Sequence, residues 1–210
     1  MTTRTEVSPK RVRALLDGRV VADSRDARLV WRNGPPVYAF PEGDVDRAAV
    51  PEDVIKVDNE LPGLLMLRWS AIDMWLEEDE PVFVHPRDPY VRVDVLDGSR
   101  HVRLKVGDIV VAESHRPRIV FETNLPPRFY LPRTDVRLDL LKPTATTTQC
   151  PYKGTASYWS VTAGGVTVDD AVWSYAVARP EVAKIAGMMC FYDEKVLSTV
   201  DGERQSGLRR

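Results

Sequence analysis

VRALLDGRVVADS at residues 12–24 and VRLKVGDIVVAES at residues 102–114 decide how this chain is read. Six of the thirteen positions are identical, where chance gives roughly one for ordinary compositions, so the chain carries an internal repeat. The match extends outward. Arg28, Leu29, Val30 and Trp31 align with Arg118, Ile119, Val120 and Phe121, and after one inserted residue PPVYAFPEGDV (35–45) aligns with PPRFYLPRTDV (126–136). Further on, VLDG (95–98) resembles TVDG (199–202). The chain therefore reads as two homologous units, a divergent first repeat over 11–98 and a second repeat over 101–203.

The repeated stretch is β-like. Asp17-Gly18 between two apolar runs is a hairpin signal, because a tight turn needs positive φ angles, and Gly107-Asp108 repeats it. Leu29–Trp31, Ile119–Phe121, Val37–Phe40 and Phe129–Leu131 read as short strands, stopped by prolines that cannot donate to a ladder. Further strands are expected at 82–85, 91–96, 158–161, 189–192 and 196–200. Two short helices are expected. One starts at Pro180 and ends at Gly187, and the other is capped by Ser70 and Asp73 before Met74–Leu76. The fold class is mainly β: two tandem compact β-rich domains, each a curled sheet or partly closed barrel with one short helix. The stretch 91–96 is expected to pair with 102–106, and the N-terminal decapeptide and residues 205–210 to be mobile ends.

Composition narrows the function classes. The 210 residues carry 29 Lys and Arg against 31 Asp and Glu, a formal charge of −2, which argues against a nucleic-acid binder. A hydrophobic share of 43% with 29% charged residues is that of a globular protein. No run approaches a membrane span, and the first residues lack the apolar stretch of a secretory signal, so a cytoplasmic protein with no membrane partner is expected. Two cysteines and three histidines (His85, His101, His115) are too few and too scattered for a zinc framework, and no metal or cofactor is expected.

The two units differ most at TTTQCPYKG (146–154), running into TASYWS (155–160). Set against LPGLLMLRWS (61–70), polar groups and a lysine stand where the first unit has Leu64, Leu65, Met66 and Leu67. Tyr152, Tyr158, Trp159, Trp173, Tyr175, Phe191 and Tyr192 crowd the same part of the chain. Tyr and Trp combine apolar area with a polar tip, as a ligand pocket requires.

TTTQCPYKGTASYWSV together with DAVWSYAVARPEVAKIAGMMCFYDEKV resembles the domain-of-unknown-function family 427 across nearly all of the second unit. Thr147, Thr148, Cys150, Pro151, Tyr152, Lys153, Gly154, Tyr158, Trp173, Tyr175, Ile185, Gly187, Phe191 and Tyr192 fit that pattern position by position. The whole chain resembles a tandem member whose first copy has lost the Cys-Pro-Tyr-Lys-Gly element. The resemblance implies a compact β-rich fold and brings no established activity. The family also carries a nucleotidyltransferase-type label. That chemistry needs carboxylates holding Mg²⁺ beside a Gly-Ser turn. Asp169-Asp170 has no such turn before it and reads as a turn after Gly164-Gly165.

For the site, the expectation is a small aromatic-lined pocket in the second repeat that takes a small polar or anionic molecule. Lys153 supplies charge, Thr147, Thr148 and Tyr152 hydrogen bonds, and Tyr158, Trp159, Trp173 and Tyr175 the walls. Whether a reaction follows is left open. Cys150 is the candidate nucleophile, beside Lys153 but with no histidine after His115. The alternative is a non-catalytic module for protein interaction or self-association, with a homo-oligomer as one form.

Overall fold

A computed structural model describes residues 3–205 of the chain. The protein is mainly β, and among the described residues every helical segment is a short 3-10 turn. The chain divides into two compact units between Pro89 and Tyr90.

In the first unit the strands are β1 (Arg4–Val7), β2 (Val12–Leu16), β3 (Arg19–Ser24), β4 (Arg28–Trp31), β5 (Val37–Pro41), β6 (Ile55–Val57), β7 (Leu64–Leu67), β8 (Met74–Glu77) and β9 (Glu80–Val82). They form a five-stranded sheet ordered β1-β4-β5-β7-β6 and a four-stranded sheet ordered β3-β2-β8-β9. In the second unit the strands are β10 (Val93–Asp97), β11 (Val102–Val106), β12 (Ile109–Ser114), β13 (Arg118–Glu122), β14 (Arg128–Leu131), β15 (Leu141–Cys150), β16 (Gly154–Ala163), β17 (Val166–Ser174), β18 (Met189–Phe191), β19 (Leu197–Val200) and β20 (Glu203–Arg204). These make a seven-stranded sheet ordered β10-β13-β14-β18-β17-β16-β15 and a four-stranded sheet ordered β12-β11-β19-β20. None of the four sheets closes on itself, and each unit is built from a pair of open antiparallel sheets.

The local reasons lie in the sequence. Asp17 and Gly18 take φ of 50° and 71°, the left-handed pair a two-residue hairpin demands. The hairpins β2–β3 and β11–β12 slip register at the same place, after Ala14 and after Leu104. In each unit the two sheets enclose a core. In the second unit Val102 and Leu104 from the small sheet meet Leu131, Val161, Val172 and Phe191 from the large one. Alternate residues face opposite sides of a strand, so the large sheet keeps a second face free of that core.

Several expectations shift. Residues 93–97 pair with β13 rather than with 102–106, as Val95 opposite Val120 shows, which places the division at 89/90 instead of near 98–101. The N-terminal stretch expected to be mobile contains β1, which pairs with β4 through Thr5 opposite Val30. Residues 206–210 of the other expected mobile end lie outside the described residues. Met74–Leu76 is strand, because β2 needs a partner and Trp75 enters the core opposite Ala14; only Trp69–Ala71 before it forms a 3-10 turn. Pro180–Ile185 is a 3-10 segment broken at Val182. Asp169 and Asp170 lie within β17, and the turn is Gly164-Gly165 alone, both in the left-handed region. The strand expected at 82–85 ends at Val82.

Candidate functional site

The site occupies the second face of the large sheet in the second unit. Tyr130, Tyr158, Trp173 and Cys190 point there, because their neighbours Leu131, Trp159, Val172 and Phe191 point into the core. The segment Pro180–Ile185 lays Val182 and Ile185 over part of this face. What stays uncovered is a cavity of about 160 Å³.

Lys153 enters the cavity from the turn between β15 and β16. Gly154 has φ of 106°, and a Cβ there would stand 3.1 Å from the Val177 carbonyl oxygen, so only glycine lets the turn come this close. The turn is tied down by the Arg179 amide donating to the Lys153 carbonyl at 3.2 Å and by a bridge between Gly154 and Ala178. Lys153 is only 8% exposed, and its ammonium donates to the carboxylate of Glu122 at the end of β13.

The walls are phenols and an indole. The Tyr158 hydroxyl lies 2.9 Å from Thr148 Oγ1 and 3.3 Å from the Tyr192 hydroxyl. Trp173 Nε1 donates to the Tyr130 hydroxyl at 3.0 Å, and the ring centroids of Trp173 and Tyr192 are 4.4 Å apart. The Arg128 guanidinium lies 5.8 Å from both of those ring centroids, and it donates to Glu194 at 2.7 Å and to Asp193 at 3.3 Å. Burial pushes the Tyr130, Tyr175 and Tyr192 phenols up, with the Tyr158 contact adding to the effect at Tyr192, so all three keep their protons at neutral pH. Burial also raises the Asp193 carboxyl and the Cys190 thiol. The arrangement offers protonated hydroxyls, an ammonium–carboxylate pair and a guanidinium inside an aromatic enclosure. It can orient a small polar molecule and stabilise negative charge on it.

Of the residues expected from sequence, Lys153, Tyr158, Trp173 and Tyr175 line the cavity. Thr148 reaches it only through the Tyr158 hydroxyl. Three do not line it. Thr147 is exposed on β15 opposite Ser157, and Tyr152 is half-buried in the turn. Trp159 packs against the inter-sheet core, because a residue next to Tyr158 in a strand faces the other way. Cys150 is half-buried at the edge of the aromatic cluster and forms no disulfide. His101 and His115 stack on each other with centroids 4.2 Å apart, and His101 Nε2 lies 2.7 Å from a Glu113 carboxylate oxygen.

Glu122, Arg128, Tyr130 and Tyr192 also line the cavity but were not among the expected site residues. The repeat alignment held a signal for two of them. Arg128 and Tyr130 stand where the first unit has Val37 and Ala39.

In the first unit the corresponding sheet face is aliphatic: Val30, Ala39, Leu61 and Met66, with Leu64 against them. Here the expected correspondence of 61–70 with 146–160 is corrected. Met66 on β7 pairs with Ala39 on β5 as Cys190 on β18 pairs with Tyr130 on β14, so Leu61–Leu67 corresponds by position to Ile185–Phe191. Gly63 and Gly187 carry matching φ values of 76° and 72°. The β15–β16 hairpin has no positional counterpart among the strands of the first unit.

The acidic pair in β17 is held by neighbours. Asp170 accepts from Thr144 at 2.6 Å and Thr146 at 2.7 Å, which lowers its carboxyl, and Ser160 approaches Asp169 at 3.3 Å. Among the described residues no three His, Cys, Asp or Glu side chains converge as metal ligands would. No helix among them is long and apolar enough to cross a membrane.

The fold and site define a β-rich module with a small aromatic pocket on the outer face of an open sheet. The sequence profile of the domain of unknown function DUF427 matches residues 94–202, about half of the chain and nearly all of the second unit, and the chain belongs to that family. A comparison with curated proteins found no match.

Proposed function

We propose that the second unit binds a small polar or anionic molecule in the aromatic pocket around Lys153. The observation that carries this reading is the Lys153–Glu122 pair, largely withdrawn from water at the wall of a cavity rather than in solid core. Burying two charges costs more than their attraction returns unless further hydrogen bonds complete them, so such a pair is poor value as a structural element alone. A ligand carrying a carboxylate or phosphate completes it, with the Tyr158 and Tyr175 hydroxyls as further donors.

In this reading the two units are tandem copies of one module, and only the second keeps the pocket. The protein is cytoplasmic, consistent with Cys150 and Cys190 both being free thiols. A second reading, self-association, is favoured by one feature. The ten-residue β15 forms an edge of the large sheet and among the described strands pairs with β16 alone, leaving a ladder open to a second copy.

Thermal unfolding against a panel of small carboxylates, phosphates and neutral polar metabolites tests the pocket. A bound molecule raises Tm by mass action. The expected result is a hit that disappears in the Lys153→Met/Glu122→Leu double variant, which removes both charges together. A panel without any hit, or a hit that survives in the variant, overturns the reading. Light scattering that shows a monomer at all concentrations overturns self-association.

A further inference from the structure

A second, separate feature lies on the outer face of the small sheet of the second unit. His101, Arg103 and Lys105 alternate along β11 and its approach, so all three side chains fall on one face. With Leu197 and Thr199 of β19 and Gly202 of the following turn they line a groove of about 290 Å³. We propose that this groove is a binding site for a phosphate group of a small ligand, independent of the aromatic pocket.

The first unit supplies an internal control. Arg11 and Arg13 of its small sheet occupy the places of His101 and Arg103. The pairings Arg13–Asp23 and Arg103–Glu113 match, and the Arg11 and His101 amides donate to Glu78 and Asp201 in the same way. There the basic groups are neutralised. Arg11 forms an ion pair with Asp23, and Arg13 with Asp79 while also donating to the Glu78 carbonyl. In the second unit, besides His101 in place of Arg11, two positions differ. Leu15 becomes Lys105, and the turn position of Asp79 is held by Gly202. Arg103 and His101 now share one carboxylate, Glu113, at 3.7 Å and 2.7 Å, and Lys105 has no carboxylate partner among the described residues.

Arg103 and Lys105 are like charges on one face with only Glu113, shared with His101, to offset them among the described residues, and a bound dianion relieves their repulsion. Arg103 and Lys105 supply charge-assisted donors, and the Thr199 hydroxyl a neutral one. Gly202 leaves the floor of the groove open, with nothing within 4 Å of where a Cβ would stand.

The test is a two-dimensional amide NMR titration of the full chain with inorganic phosphate and, separately, pyrophosphate, with chloride at matched ionic strength as control. Saturable shifts confined to 101–106 and 197–203 at low-millimolar phosphate are expected. Lys105→Leu, which restores the residue of the first unit, weakens binding about tenfold, the loss of one charge-assisted contact. Arg103→Gln adds a similar loss, while the Lys153→Met/Glu122→Leu variant binds phosphate as the wild type does. The dispersed spectrum of each variant reports its fold in the same experiment. Shifts that do not saturate, that chloride reproduces, or that Lys105→Leu leaves unchanged overturn the site. Shifts that vanish in the Lys153→Met/Glu122→Leu variant assign the anion to the aromatic pocket and equally overturn it.

Discussion

On the outer face of the large sheet, the first unit presents Val30, Ala39, Leu61 and Met66, and the second presents Val120, Tyr130, Ile185 and Cys190 with Tyr158, Trp173 and Tyr175 beside them. The backbone pairings behind the two faces correspond, Ala39 to Met66 and Tyr130 to Cys190. One face is closed with small aliphatic groups. The other carries large rings that prop a cavity open and let a lysine and a glutamate in. The two faces share the same strand pairing, and the residues on them together with the β15–β16 hairpin decide whether the face is closed or carries a cavity.

The largest expected effect separates the two faces most sharply. Lys153→Ala leaves the part-buried Glu122 carboxylate without its ammonium, and such a break costs up to about 3–5 kcal/mol, the figure for a fully buried pair. Urea unfolding reads it as a fall in midpoint. A loss of about 0.5 kcal/mol or less would show that water already solvates Glu122 and that the pocket is more open than described. Because of this cost, Lys153→Ala does not isolate ligand binding, and the charge-free double variant is the better probe.

Next in size is Tyr130→Phe. It removes the acceptor of the buried Trp173 indole N–H, at a cost of about 1–3 kcal/mol. The first unit has Ala39 at this position and offers no equivalent bond. Chemical denaturation combined with Trp fluorescence measures both the loss and the change in indole environment.

A smaller effect lies at the turn after β14. The Arg116 guanidinium donates to Asp135, with Ser114 and Thr134 adding bonds, and holds its carboxyl at about 2. A carboxyl depressed in the folded state stabilises above its unfolded value near 4 and loses that contribution as pH falls towards 2. Arg116 is largely exposed, so screening limits the contribution to about 1 kcal/mol or less. The expected outcome is that Asp135→Asn flattens the acid limb of stability between about pH 4 and pH 2. The smallest effect is on ligand binding by Trp159→Phe, which should be nil. A changed affinity would mean that the two faces of β16 are not independent.

Much of the platform was legible in the chain. Asp17-Gly18 and Gly107-Asp108 between apolar runs announced both hairpins, and the paired prolines announced where strands stop. Lys153, Tyr158, Trp173 and Tyr175 were legible as a cluster because they sit close in sequence or carry the family pattern. Trp159 was misplaced because composition marks a residue as aromatic but does not say which side of a strand it takes. Met74–Leu76 was read as helix because a capping pattern is local, whereas the strand it forms is imposed by β2, about sixty residues earlier.

The sequence by itself determined the mainly β character, the turns and the repeat of local pattern, because each depends on residues within a few positions of one another. Tertiary structure alone decided the rest. It set Glu122 against Lys153 from a strand thirty-one residues away, placed β10 beside β13, and made Ile185–Phe191 rather than the Cys-Pro-Tyr-Lys-Gly hairpin the positional partner of Leu61–Leu67. Those outcomes depend on which strands pair, and long-range pairing is fixed by the burial of whole faces rather than by any local signal.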